Sequence, residues 1–305
     1  MKYINLGSSG LEVPAVAVGC MRLASLSQSQ AAKFINLCIE NKANFFDHAD
    51  IYQKGECEEL FSKAYGMTAS KREKIFLQSK CGIRPGRYDF SKQYILDSVD
   101  AILKRLNTDY LDSLLLHRPD ALVEPLEVME AFDSLYNSGK VRYFGVSNHK
   151  PMQIELLKKY VKQPLIINQM QLSITNSTMI SNGINVNMQV DSATDRDGSV
   201  LDYCRLNDIT IQPWSPFQYG FFSGVFLDNP DFPALNKKIT EIAKKYDVSS
   251  TTIVMSWLLR HPANLQPVCG TTSETRLLDI FKACDIVLTR EEWYEIYTAA
   301  GNVLP

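Results

Sequence analysis

From Ile75 to His117 the chain reads IFLQSKCGIRPGRYDFSKQYILDSVDAILKRLNTDYLDSLLLH. Two short, largely apolar runs, IFLQSK and YLDSLLLH, flank a stretch in which Ile95, Val99, Ile102 and Leu106 recur at the spacing of one helix face. The local order is therefore strand, helix, strand. An antiparallel return needs only a tight turn, so the interposed helix points to a parallel pair.

The unit repeats in both directions. AVAVGC, NFFDHA, VRYFGVS, LIINQMQ, ITIQPWSP and LQPVCGT complete eight strand candidates, with SQAAKFINLCIENK, PLEVMEAFDSLYNSGK and MQIELLKKYVKQ among the helical stretches between them. Eight alternations in 305 residues suit a closed α/β (β/α)8 TIM barrel, with an open doubly wound sheet as the alternative. TTIVMSWLLRHP and TREEWYEIYTAA read as additional C-terminal helices outside the repeat, the second opened by a capping-box pattern at Thr289 and Glu292. No linker rich in Pro, Gly or Ser divides the chain, so residues 1–305 are expected to form a single barrel domain. The long polar segment 173–198 is expected to be a functional lid or a disordered insertion.

A net charge of -2 disfavours nucleic acid or an anionic membrane as main partner. No stretch has the apolar length of a signal peptide or membrane span, and seven scattered cysteines without a CxxC pair fit reduced thiols, so a cytoplasmic location is expected. No metal site is expected: Asp47, His48 and Asp50 are clustered, but neighbours at a strand end point opposite ways and no distant ligand partner has suitable spacing.

In a parallel α/β barrel the strand C-termini converge on one mouth, which carries the active site. Three successive strand candidates end in ionisable groups: Asp47 and His48, with Tyr52 just beyond, then Lys80, then His117. As a unit they make chemical sense. A phenol titrates near pH ~10, and an adjacent Lys80 ammonium is expected to lower that value. Asp47 would keep Lys80 charged, His117 would orient a carbonyl oxygen, and Tyr52 would be its general acid.

Along most of its length the chain resembles the aldo-keto reductases. GSSGLEVPAVAVGCMRL, the Asp and Tyr five apart in DHADIY, SK after the third strand, LLLHRPD, GKVRYFGVSN, NQMQ and WSPFQYGFFSG follow the family's order. The tail RLLDIFKACDIVLTREEWYEIYTAAGNVLP further resembles a YdhF-like bacterial subgroup of oxidoreductases. The resemblance implies a (β/α)8 barrel, a nicotinamide cofactor, usually NADPH (NADP+), and reduction of small-molecule aldehydes or ketones to alcohols.

It also implies residue roles. Asp47, Tyr52, Lys80 and His117 match the catalytic tetrad; Ser147, Asn148 and Gln169 match contacts of the nicotinamide carboxamide; Trp214 matches the ring stacked on the nicotinamide. Ser215, Pro216, Phe217 and Gly220 match the loop over the pyrophosphate, and Gly19, Cys20 and Met21 the turn beside the nicotinamide ribose. After the eighth strand, Gly270, Thr271, Thr272 and Ser273 precede a helix N-terminus suited to phosphate, with Arg276 placed for a 2′-phosphate. Asp279 and Ile280 replace the acid and amide that often read adenine. Met21, Tyr52, Arg118, Asn148 and Gln171 would line the substrate pocket, where Arg118 replaces a common aromatic residue and suggests polar or anionic carbonyl compounds.

Other readings compete. Asp47 with Lys80 also reads as a structural ion pair, Trp214 as a core aromatic, and Ser147 with Asn148 as a helix N-cap. His149 and His261 read as surface or loop histidines. Barrels of this family also serve as cofactor-binding regulatory subunits of ion channels, and a barrel hydrolase would use the carboxylates without any nicotinamide.

Overall fold

The computed structural model describes residues Met1–Pro305. Eight parallel strands close into a barrel in sequential order: β1 (Ala17–Gly19), β2 (Phe45–Asp47), β3 (Phe76–Cys81), β4 (Leu111–Leu116), β5 (Val141–Ser147), β6 (Leu165–Gln171), β7 (Thr210–Trp214) and β8 (Val268–Cys269). β1, β2 and β8 are shorter than their apolar runs. Just before β8, Pro267 has no N–H to give, and only its carbonyl is used, by Ala17.

Helices pack outside: α1 (Gln28–Glu40), α2 (Glu56–Tyr65), α3 (Lys92–Leu106), α4 (Pro125–Asn137), α5 (Pro151–Lys158), α6 (Val200–Leu206), α7 (Pro233–Tyr246), α8 (Ser250–Leu259), α9 (Glu274–Lys282) and α10 (Arg290–Ala299). Ser27 and Gln30 close a capping box on α1, and Thr289 and Glu292 do so on α10. α10 follows the last strand as expected, whereas α8 lies between β7 and β8, buried along seven residues. It belongs to the repeat, and α7 is the extra helix there.

Alternation along the strands divides the apolar residues. A 65-residue cluster lies mainly between strands and helices, while a separate cluster of ten, including Val13, Ala17, Phe45, Leu115, Ile167 and Val268, fills the barrel's lower end. A two-stranded hairpin, Tyr3–Asn5 with Glu12–Pro14, closes that floor. Gly145 points into the barrel, where a Cβ would stand 2.7 Å from both Ile167 O and Leu115 Cδ2.

The segment 173–198 differs from expectation in its first half. It holds a short helix, Thr178–Ile184, latched to the C-terminus: Tyr297 donates to Ser181 Oγ at 2.9 Å, and Asn302 donates to Ile174 O at 3.3 Å. His149 is also not a surface residue. It is buried, its ring near Phe90 and its Nδ1 2.9 Å from Ser147 O, and His261 is half-buried.

Candidate active site

At the top of β2 and β3 the Lys80 ammonium meets three acceptors. Its Nζ lies 2.7 Å from Asp47 Oδ2, 2.7 Å from His48 O and 3.1 Å from Tyr52 Oη. All three ammonium protons thus have partners. The Asp47 and Lys80 side chains are 1% and 0% exposed, while Tyr52 is half-buried. The turn that presents Tyr52 is strained: Gln53, Lys54 and Gly55 follow it with φ of 47°, 54° and 94°. Left-handed conformation at non-glycine residues persists where surrounding structure holds it, as at functional sites.

Burial opposes the Lys80 charge, but Asp47 and Tyr52 more than offset it and hold the ammonium above its ordinary range. The expected lowering of Tyr52 is not found. Burial raises the phenol, Lys80 pulls it down, Asp47 pushes it up again, and the balance is upward. Tyr52 is therefore a neutral O–H donor at pH 7.

His117 directly follows β4, with its ring edge-on to Tyr52, centroids 6.1 Å apart. Burial first, then Lys80 and Arg118, hold it well below the usual imidazole range. Its Nδ1 is buried without a partner. Burying a bare lone pair costs less than burying an unpaired N–H, so the proton is assigned to Nε2. His48 lies outside the barrel wall, fully buried against Phe61 with neither ring nitrogen bonded. Alternation at the strand end sends Asp47 inward and His48 outward.

Beneath Asp47 runs a column of four glutamines, of which the sequence singled out only Gln169. Asp47 Oδ1 accepts from Gln78 Nε2 at 2.6 Å and Gln169 Nε2 at 3.1 Å. Both amides also donate to Gln212 Oε1, at 2.8 and 3.0 Å. Gln212 donates to Gln266 Oε1 at 2.7 Å, and Gln266 donates to Pro14 O at 2.7 Å. The four side chains are at most 3% exposed. A signal was present: each is a polar residue at an inward position of a strand read as apolar, and such a residue needs a partner.

Around the mouth, Ser147 donates to Gln169 O at 2.8 Å, Asn148 Nδ2 reaches Ser147 Oγ at 2.8 Å, and Trp214 Nε1 donates to Asn148 Oδ1 at 3.1 Å. The helix-cap reading of Ser147 and Asn148 fails, because the residue before α5 is Lys150. Asn148 and Ser215 both hold left-handed backbone, φ 61° and 54°.

The aldo/keto reductase family model matches residues 15–300. The chain belongs to the aldo/keto reductase family. Similar proteins include the oxidoreductase YdhF of Escherichia coli K12, 31% identical with 98% of each chain covered. A 6-dehydroglucose reductase of Agrobacterium fabrum C58 is 31% identical, with 96% of each covered. Among solved structures, a thermostable aldo-keto reductase, Tm1743, in complex with the inhibitor epalrestat, is 25% identical with a TM-score of 0.79, covering 98% of this chain and 100% of that one.

As an aldo-keto reductase, the chain is an NAD(P)H-dependent oxidoreductase. Its residues fit such a cofactor. Gln169 spends both N–H groups on Asp47 and Gln212, leaving Oε1 without a protein donor. Trp214 is half-buried, with Phe221 and Phe222 from the following loop packed near its ring. In that loop Gly220 O accepts from Gln171 Nε2 at 2.9 Å, and Pro216 and Phe217 link it to Trp214.

Toward β8, Gly270 O accepts from Arg22 at 2.9 Å, Ser273 Oγ caps α9 on Arg276 N, Thr271 and Thr272 are half-buried, and Arg276 is exposed. Ile280 is buried and faces the core, so it meets no adenine. Gly19 and Met21 are half-buried at and just after the end of β1, but Cys20 is buried, its N–H donating to Asp47 O and its carbonyl accepting from Leu23 N. Two other concavities, of about 770 and 740 Å³, lie beside Asn5, Asp208 and Pro262 and beside Lys54, Met67 and Lys104, and hold no candidate site residue.

Proposed function

We propose that this chain reduces aldehydes or ketones to alcohols with NADPH, as one barrel domain over residues 1–305, with Tyr52 as proton donor. The observation that carries the reading is Lys80 Nζ held between Asp47 Oδ2 and Tyr52 Oη. The Tyr52 oxygen accepts from Lys80, so its own proton is free to point at a carbonyl oxygen in the mouth. His117 Nε2–H donates to that oxygen and fixes its direction. NADPH, when bound, supplies the hydride to the carbonyl carbon. Tyr52 gives its proton to the oxygen as negative charge develops there. The phenolate left behind is stabilised by Lys80, whose charge Asp47 secures.

Ser147, Asn148 and Gln169 would hold the carboxamide, Trp214 the ring face, and Ser215 to Gly220 the pyrophosphate. Gly270 to Ser273 with Arg276 would take the 2′-phosphate, which favours NADPH over NADH. The relative named a 6-dehydroglucose reductase supports reduction as the direction. Seven free cysteines fit the cytoplasm.

The test is loss of NADPH absorbance with a panel of aldehydes and ketones, comparing native protein with Tyr52→Phe and repeating with NADH. Oxidation that requires Tyr52 and prefers NADPH is expected; equal turnover by Tyr52→Phe would remove the proposed acid.

A further inference from the structure

Arg118 follows His117 directly and is half-buried at the barrel mouth. Its guanidinium carbon lies 5.7 Å from the Trp214 ring centroid and 5.6 Å from that of Phe221. The other arginines withdrawn from solvent all donate to protein oxygen: Arg72 to Asp112, Arg84 to Asp89, Arg105 to Glu58 and Arg260 to Leu288 O. Arg118 donates to none. Aromatic contact supports a guanidinium through its faces and satisfies none of its five in-plane N–H groups. The carboxylate on the barrel axis, Asp47, is already committed to Lys80. A cation is thus held partly out of water with its donors unused, an arrangement that an incoming oxyanion would complete.

The incoming group belongs to the substrate rather than the cofactor. Arg118 is one residue past the imidazole that orients the carbonyl, whereas the phosphate-binding turn follows β8, on the opposite side of the eight-stranded ring from β4. We propose that Arg118 binds an oxyanion on the substrate, so that the preferred substrates are aldehydes or ketones that carry a carboxylate or comparable acid group away from the carbonyl. The inference rests on the reductase reading above.

The test measures kcat/KM under NADPH for an ω-carboxy aldehyde, its methyl ester and a neutral polyhydroxy aldehyde. Native protein is compared with Arg118→Met and Arg118→Lys. A charged hydrogen bond of ordinary strength predicts that native protein prefers the acid over the ester roughly 10- to 100-fold. Arg118→Met should bring that ratio near one and Arg118→Lys should restore part of it. The native preference should also weaken as salt rises, a readout that does not depend on the variants folding. Equal native rates on acid and ester, a parallel loss on both in Arg118→Met, or a preference for the polyhydroxy aldehyde would each overturn the oxyanion assignment while leaving the reductase reading intact. A rise in the NADPH Kd of Arg118→Met with an unchanged ratio would move Arg118 to the cofactor. Absence of NADPH oxidation with every carbonyl tried would remove the reductase reading and this one with it.

Discussion

Gln78 donates to Asp47 Oδ1 at 2.6 Å, which ties the carboxylate beside Lys80 to the interior of the barrel. Gln78→Leu removes this donor and also the acceptor of Ser113, which reaches Gln78 Oε1 at 3.0 Å. Leaving buried groups unpaired costs about 1–3 kcal/mol each. The variant should lower the urea midpoint and reduce kcat more than it weakens NADPH binding. Denaturation curves and steady-state kinetics on the same preparation check both.

Tyr52→Phe keeps the ring, whose centroid lies 5.0 Å from Lys80 Nζ, and removes the hydroxyl, which is both the proposed proton donor and one of the three acceptors of Lys80. Carbonyl reduction should fall by roughly 10²–10⁴, the range of one general acid, with NADPH titration of the protein nearly unchanged.

Lys80→Met leaves the buried Asp47 carboxylate without its counter-charge, which costs about 3–5 kcal/mol. Adding Asp47→Asn removes the orphaned charge. The double variant should therefore be more stable to urea than Lys80→Met alone, although both are inactive.

All four histidines of the chain fold with imidazoles pushed down: His48 to about 3, His149 and His261 to about 4, and His117 well below the usual value, burial being the largest cause in each. As pH falls below ~6.5 the unfolded chain takes up protons that the folded one refuses. Stability therefore drops with pH through the window from ~6.5 toward 3, by at most about 1.4 kcal/mol per unit for each histidine. His48→Phe should flatten the fall in urea midpoint between pH 7 and 4.5.

Asp50 runs the other way. Burial and then Glu58 raise its carboxyl to about 7, and its Oδ1 is buried without a partner. The fold prefers the neutral acid, so stability is lost as pH rises from ~4 through 7. Asp50→Asn should raise Tm at pH 8 and leave it nearly unchanged at pH 4.5, by calorimetry.

Strand and helix periods made the barrel legible, because IFLQSK and YLDSLLLH could be nothing but buried strands on either side of a helix. Asp47, Lys80 and His117 were legible for a related reason: each interrupts an apolar run at its C-terminal end. Gln78, Gln212 and Gln266 were overlooked inside those same runs, since their partners lie across the barrel, at separations such as the 134 residues between Gln78 and Gln212. The segment 173–198 looked free because its composition is polar, while its latches, Tyr297 and Asn302, sit more than a hundred positions away. The rise of Tyr52 is not legible in the sequence, because its largest cause is burial, which depends on packing that residue order does not display.

Pro14 lies under the whole column and offers its backbone carbonyl, while the neighbouring Ala15 N–H is spent on Lys2 O. That carbonyl can only accept, so Gln266 must turn its NH2 end downward and its oxygen up. Gln212 must follow with its NH2 end toward Gln266, which leaves Gln78 and Gln169 to turn their NH2 ends toward Asp47. The N-terminal hairpin thereby sets the direction of the amides on the barrel axis: Gln266 and Gln212 turn their NH2 ends to the floor, and the NH2 groups of Gln78 and Gln169 are shared between Gln212 Oε1 and the Asp47 carboxylate. A neutral turn of chain at one end of the molecule biases the electrostatic potential at the other without adding a single titratable group.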